Sequence, residues 1–415
     1  LDNITHAVVG VLMAEAALVF REHRARSTAA PVDGIRASAM LVSVLANNAP
    51  DIDSAYASLL TRPLGSLMHH RGHTHTLALV PLLAALAVAV TLAVARARGM
   101  RFETRDKIWL FALALSGVLV HIALDSTNSY GVHPFWPLYD GWFYGDSIFI
   151  IEPLIWAALI PPLVFCARTR SAQIALAAVV VLGVGLCWLR EFVPRSMAIL
   201  ATLVAVGSTI ASRKATPTVR VALSAGLTTV VALTFAISGA AARSEMTRAS
   251  ATTFPRARTH DAIFTPMPAN PFCWQAVLVQ TEGERYVTRT GVVATFPRFL
   301  SSDECYFDRV TETTAPVRPM RAPKSPSLRW IREFSAPLGE LHALARDSCV
   351  FGALLRFARA PFWTNDEALG RVAGDIRYDV SSGLDFSDTV LDGVGCPENL
   401  PPWIPPRSAL VEARD

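Results

Sequence analysis

The sequence predicts a polytopic α-helical membrane protein of about eight spans with a C-terminal soluble α+β domain. Three observations predict it. Of 415 residues, 52% are hydrophobic and only 17% charged, against about a quarter charged in an ordinary soluble domain. The apolar residues form long runs ahead of Ala242. Beyond Arg243 the composition turns to Pro, Arg, Asp and Glu, and no run there could span a bilayer. These features exclude disorder, a collagen, a small disulfide scaffold and an ordinary cytosolic enzyme. The net charge of +4 forms no basic stripe, so no nucleic-acid partner is expected and membrane lipids are.

A spanning helix needs about 20 mostly apolar residues. The candidates, in order, are Ile4–Phe20, Ile35–Asn47, Thr76–Ala95, Lys107–Asp125, Ile148–Ala167, Ala172–Leu189, Ser196–Ser212 and Val219–Ala241. The first has neither a basic flank nor a small-residue cleavage site, and reads as a span rather than a removable signal. The second is short enough for a half-span or re-entrant piece. Basic residues mark alternate loops: Arg21, Arg24, Arg26 and Arg36; Arg96, Arg98, Arg101, Arg105 and Lys107; Arg168 and Arg170; Arg213, Lys214 and Arg220. Positions 126–147 carry no Lys or Arg, and 48–75 carry only Arg62 and Arg71. The positive-inside rule then puts the four basic loops in the cytoplasm and both termini outside. The loop with Arg190 and Arg195 is the exception.

The expected organisation is a metal-site membrane core over 1–155, further transmembrane helices over 156–242 and an extracytoplasmic α+β domain over 243–415. In that tail, Gln275–Gln280 and Tyr286–Thr295 alternate like strands around the turn Glu282-Gly283-Glu284. Leu338–Arg346 reads as a short helix, Leu354–Arg359 and Asp375–Val380 as strands, and Ala315–Ser327 as an irregular loop. Cys166 and Cys187 read as packing residues within spans. Cys273, Cys305, Cys349 and Cys396 suit either two disulfides, in any of three connectivities, or four unpaired thiols.

The chemistry-bearing residues crowd one side. His6, His69, His70, His73, His75, His121 and His133 all fall at span ends or loops on the face opposite the basic loops. So do Asp2, Asp51, Asp53, Asp125, Asp140, Asp146 and Glu152, whereas the other face has only His23. His121 and Asp125 are four apart and share one helix face. Asp51 and Asp53 point the same way if their segment is extended, and Gly72 permits a tight backbone that converges several imidazoles. Singly, each has a plainer reading. His121 and Asp125 suit a buried hydrogen-bonded pair, Asp51 and Asp53 a cap and a loop carboxylate, Arg71 a snorkelling side chain, and Trp136, Trp142, Phe143 and Tyr144 an aromatic belt. Four His in the seven residues His69–His75 beside a span have no packing use. Ionisable groups at this depth are costly unless paired or metal-bound. Imidazoles with carboxylates suit a divalent metal ion, zinc first and manganese or iron next.

At these residues the chain resembles the YdjM-like inner-membrane metal-dependent hydrolases. The matching pieces are Asp2-Asn3-Ile4-Thr5-His6, Pro50-Asp51-Ile52-Asp53, His70-Arg71-Gly72-His73-Thr74-His75 and His121-Ile122-Ala123-Leu124-Asp125. Pro266–Trp274 looks like the longer members. The resemblance is dense over residues 1–155 and thinner beyond. It implies a membrane-embedded metal hydrolase of the bacterial inner membrane and supplies no substrate.

Together these readings predict a metal-dependent hydrolase at the outer membrane–water interface, acting on a lipid phosphoester or acyl ester. The expected metal ligands are His6, Asp51, Asp53, His70, His75, His121 and Asp125, not all on one ion, with Asp53 either bridging two ions or orienting a His. His73 is the expected acid/base, Arg71 the holder of a substrate anion, and Asp146 or Glu152 a base or supporting carboxylate. The tail is expected as a lid, with Asn270, Phe272 and Trp274 facing the site. The rival reading is a metal- or proton-coupled transporter, which also uses intramembrane His and Asp. Transport sites, however, usually sit near mid-span in a repeated fold, and no repeat is visible.

Overall fold

The computed structural model describes residues 1–24, 33–57, 59–60, 63–305, 316–378, 384 and 386–411. The helical half comprises α1 (Asn3–Arg24), α2 (Asp33–Ala46), the short α3 (Asp53–Ala57) and α4 (Leu64–His69), then α5 (Val80–Ala97), α6 (Thr104–Asp125), α7 (Pro153–Val164), α8 (Arg170–Leu189), α9 (Arg195–Arg213) and α10 (Pro217–Thr253). Six of these, α1, α5, α6, α8, α9 and α10, are long and apolar enough to cross a membrane; α2 and α7 are shorter apolar helices. The chain is a multi-pass membrane protein, and the eight apolar helices among the described residues follow the eight predicted runs in order.

The first bundle buries Ala14 and Leu18 of α1 against Ile35, Ala39 and Val42 of α2, Leu83, Ala84 and Ala87 of α5, and Leu110, Ala114 and Val118 of α6. Small residues dominate because helices surrounded by lipid associate through close packing rather than through water exclusion. Gly117 shows the need. A Cβ there would stand 2.8 Å from Asn47 Nδ2 and 3.0 Å from Ala46 Cβ, so only glycine brings the end of α2 onto α6. Helix α7 is central, packed on α1, α8, α9 and α10. Its last turn holds Pro161 and Pro162, which cannot donate to the helical ladder, and it is shorter than the predicted run Ile148–Ala167.

The basic loops gather at one end of the bundle. Arg21 meets Asp106 at 2.6 Å, Arg36 meets Glu15 and the Cys166 carbonyl, and Arg220 donates to the Phe165 carbonyl at 2.7 Å. Arg26 and Arg62 lie outside the described residues.

Helix α10 has 37 residues, about 55 Å at 1.5 Å per residue, well beyond the roughly 30 Å hydrocarbon thickness. It runs unbroken through the boundary expected at 242/243 and carries the second domain on its far half. That domain is a five-stranded antiparallel sheet of β1 (Arg258–Met267), β2 (Asn270–Glu282), β3 (Arg285–Ala294), β4 (Arg318–Pro319) and β5 (Leu328–Pro337), in spatial order β1-β2-β3-β5-β4. Next come α11 (Leu338–Asp347), α12 (Cys349–Leu354), a three-stranded sheet of β6 (Pro361–Asp366), β7 (Gly370–Asp375) and β8 (Thr389–Val390), and the short α13 (Ser408–Val411).

One face of the larger sheet packs Trp274, Ala276, Leu278 and Val293 against α10. The other packs Val277, Val279, Tyr286 and Phe334 against α11, α12 and Phe362. Gly239 of α10 makes the first contact possible, since a Cβ would lie 2.9 Å from the Trp274 ring. The disulfides Cys273–Cys305 and Cys349–Cys396 staple the domain, while Cys166 and Cys187 are free.

The turn at Glu282–Glu284, with Gly283 at φ 58°, and the helix at Leu338 stand as expected. Two expected strands do not. Leu354–Arg359 is the end of α12 and a turn, packed in the domain core. Strand β7 ends at Asp375 and Ile376–Tyr378 turn away; residues 379 and 380 lie outside the described set, as does Ala315 of the Pro-rich stretch. Asn270, Phe272 and Trp274 do not face the site: Trp274 donates to Ser238 of α10 at 3.1 Å and Phe272 packs on Phe296 and Phe299.

Candidate metal centre

Three segments meet at the end of the bundle away from the basic loops. Pro50 opens a 3-10 turn, Pro50–Ile52, whose first position suits a residue without an N–H. It places Asp51 and, at the start of α3, Asp53. The run after α4 folds as a second 3-10 turn, His73–His75. The last turn of α6 brings His121 and Asp125.

Asp51, His75, His121 and Asp125 each aim one donor atom at a common point, all within 4.8 Å of one another. His75 Nε2 stands 3.1 Å from His121 Nε2. Asp51 Oδ1 lies 3.4 Å from His75 Nε2 and 3.6 Å from His121 Nε2. Asp125 Oδ2 lies 3.2 Å from His75 Nε2 and 3.4 Å from His121 Nε2. A tetrahedral ion with bonds of about 2.0–2.1 Å has donor–donor edges of about 3.3–3.4 Å, so these spacings fit one ion. Asp125 Oδ2 is buried without an aligned hydrogen bond, although Arg71 Nε lies 3.0 Å from it. Two imidazoles and two carboxylates suit zinc, and also manganese or iron.

The surrounding groups orient these four. His121 Nδ1 is 2.6 Å from the Asn47 carbonyl, which fixes the proton on Nδ1 and frees Nε2 as a donor to metal. His75 Nδ1 faces Asp53 Oδ2 at 3.2 Å. Asp53 is fully buried and also accepts from the Thr74 hydroxyl at 2.7 Å and the Arg71 N–H at 2.9 Å, with His70 Nδ1 at 3.0 Å. Asp51 Oδ2 accepts from Asn3 at 2.9 Å. His6 stacks on His121 with centroids 3.8 Å apart and puts Nε2 3.1 Å from Asp125 Oδ1. It therefore meets the carboxylate on the side away from the common point.

Asp51 and Asp53 lie in helical turns, not in an extended segment, so they point differently: Asp51 into the cluster, Asp53 beneath it. Arg71, not Gly72, takes the left-handed conformation, at φ 57°. Its guanidinium is buried, with Nε 3.0 Å from Asp125 Oδ2 and Nη1 2.9 Å from Asn128 Oδ1. It neutralises a cluster carboxylate rather than presenting a free fork to a substrate.

Burial disfavours a charged His75, but its contacts with Asp125, Asp51 and Asp53 prevail and hold the imidazole up at about 10 without metal. Burial likewise opposes ionisation of Asp51, yet His121 and His75 keep its carboxyl well below the usual range.

The structure does not bring His73, Asp146 or Glu152 to the cluster. His73 packs edge-on to Trp136 at 4.7 Å and against Trp403 at 4.9 Å; burial and the neighbouring His69 lower its pKa. Asp146 forms a buried bidentate pair with Arg359 at 2.7 and 3.0 Å. Glu152 caps α7 through the Leu154 N–H and accepts from the Ala269 N–H. Sequence reasoning missed Asn47 and Thr74 as orienting groups, although Thr74 sits inside a quoted motif and Asn47 ends a predicted span. It also missed the tail's closing segment, which nothing local signals. There Trp403 stacks on His133 at 3.8 Å and donates to the Met68 carbonyl, and the Asn399 carbonyl meets His69 at 3.0 Å. The second domain thus docks on the same face as the cluster.

No curated protein and no solved structure matches the chain. The family model of the YdjM inner membrane protein matches residues 1–192, the stretch that holds every donor described above, and over that stretch the chain is similar to the YdjM inner membrane protein family.

Proposed function

We propose that the protein is a metal-dependent hydrolase working at the outer face of the inner membrane on a lipid phosphoester or acyl ester. The observation that carries this is the converging donor set of Asp51, His75, His121 and Asp125. A divalent ion held by these residues would supply Lewis-acid chemistry, lowering the pKa of a water taken as a fifth ligand. His75 and His121 supply neutral nitrogens, Asn47 and Asp53 hold their orientation, and Arg71 balances the charge of Asp125. The role expected of His73 has no support in its packing against two tryptophans, and Asp146 and Glu152 serve the docking of the second domain.

Location supports a lipid substrate. His6 opens α1 and His121 and Asp125 close α6, so the cluster lies at helix ends rather than at mid-span, which disfavours the transport reading. Ile4, Ile52, Tyr56 and Leu59, in the segments that carry Asn3 and Asp51, are exposed, Leu59 at 84%, and exposed apolar side chains there suit acyl chains. The basic loops at the opposite end favour the cytoplasm, and the two disulfides of the second domain favour an oxidising compartment. The test is a panel of phospholipids and lipid esters in mixed micelles with the metal-loaded full chain. Metal-dependent release of a headgroup or fatty acid, abolished in His121→Ala, is expected; no cleavage of any panel member by metal-loaded protein overturns the reading.

A further inference from the structure

We propose that the centre takes a second divalent cation, held by Asp51, Asp53 and His70, so that Asp51 bridges two ions. This rests on the metal reading above and extends it to a position that the four-donor set does not include. One donor atom from each of Asp51, Asp53 and His70 lies within 4.8 Å of the other two, and Asp51 is the one residue shared with the four-donor group.

The two oxygens of Asp51 are turned to different neighbours. Oδ1 faces His75 and His121 at 3.4 and 3.6 Å, while Oδ2 meets Asn3 in an exposed contact. An ionised carboxylate offers about four lone-pair sites, so one side chain can serve both positions. His70 is a donor that the first position leaves unused. Its Nδ1 lies 3.0 Å from Asp53 Oδ1, and its ring stands edge-on to His75 at 6.2 Å and Tyr130 at 5.6 Å. Those contacts keep the ring beside Asp53 although the side chain is 29% exposed. The cation would replace the hydrogen bond between His70 and Asp53.

Burial separates the two positions. His75, His121 and Asp125 are inaccessible, so the first ion is enclosed. His70 and the edge of Asp51 open outward, so the second ion exchanges faster and binds more weakly. Ions sharing a carboxylate stand about 3.5–4 Å apart in two-metal centres, close enough for magnetic coupling.

The test uses the detergent-purified full chain, stripped by chelator and equilibrated with Mn²⁺ by dialysis. Bound manganese is counted by elemental analysis and the pair detected by electron paramagnetic resonance. The wild type is expected to hold about two ions per chain with a spin-coupled spectrum. His70→Ala is expected to keep one and give the spectrum of an isolated ion, with His70→Gln as the alternative if the alanine variant does not fold. One ion in the wild type, with a spectrum matching that of the His70 variant, overturns the second position and leaves the first standing. No ion in the wild type overturns both.

Discussion

His75 Nε2 and His121 Nε2 face each other at 3.1 Å across two buried carboxylates, although 46 residues separate them. Two bare imidazole nitrogens do not attract one another. The contact persists only if a proton or a cation lies between them and the flanking oxygens of Asp51 and Asp125. Without metal a proton takes that place, since Asp125, Asp51 and Asp53 all favour a charged His75 against the cost of burial.

Metal affinity should therefore fall with acidity. The His75 imidazole sits at about 10 in the metal-free chain, so at neutral pH the ion must displace its proton. A group raised this far stays protonated throughout the range below 10. Each unit of lower pH should weaken binding by about tenfold for that one proton. Zinc titrations between pH 6 and pH 8 with proton release measured in parallel check this; a pH-independent affinity would contradict it.

Asp53 should matter as an organiser even if no ion touches it. Asp53→Asn removes the carboxylate that meets Thr74, His70, His75 and the Arg71 N–H. Partners of ligating histidines typically contribute 10–100-fold in affinity. We expect a loss of about that size for the first ion, read by competition with a chromophoric chelator.

The docking of the second domain depends on Arg359. Its guanidinium pairs with Asp146 and Asp261, each buried. Arg359→Ala removes the buried bidentate partner of Asp146, leaving it only Arg243 at 3.6 Å, while Asp261 keeps Arg407 at 2.6 Å; a broken buried pair costs about 3–5 kcal/mol. Limited proteolysis should release the domain from the membrane half in this variant. Asp146→Asn should weaken docking less, because Asp261 keeps its partner.

Gly239→Val tests the other attachment. A side chain there would overlap the Trp274 ring, the Cβ alone lying 2.9 Å from it, and overpacking costs about 1–3 kcal/mol. The expected result is a lowered melting temperature with metal binding intact, since the cluster lies on other helices.

Much of the centre was legible locally. The spacing of His121 and Asp125 reads as one helix face, and the density of His69–His75 reads as a convergent loop. The conformation of Asp51–Asp53 was not, because Pro50 starts a helical turn where an extended segment was expected. Nor was the orienting role of His6, which depends on Asp125, 119 residues away. Asp146 and Glu152 read as site groups because they lie on the face opposite the basic loops. Their partners, Arg359 and the Ala269 N–H, come from the tail, 213 and 117 residues later. In the tail, β1 and β5 escaped because the sheet is covered on both faces. Burial of Ile263 and Phe264 alike removes the alternation that signals a strand.

The central claim is that the four converging donors hold a metal ion. Elemental analysis of the detergent-purified full chain, beside His75→Ala and His121→Ala, tests it most directly. The account predicts tightly held zinc, manganese or iron at about one equivalent or more in the wild type, with the buried ion lost in either variant. Wild-type protein that stays free of metal after reconstitution, or variants that retain the full complement, would contradict it.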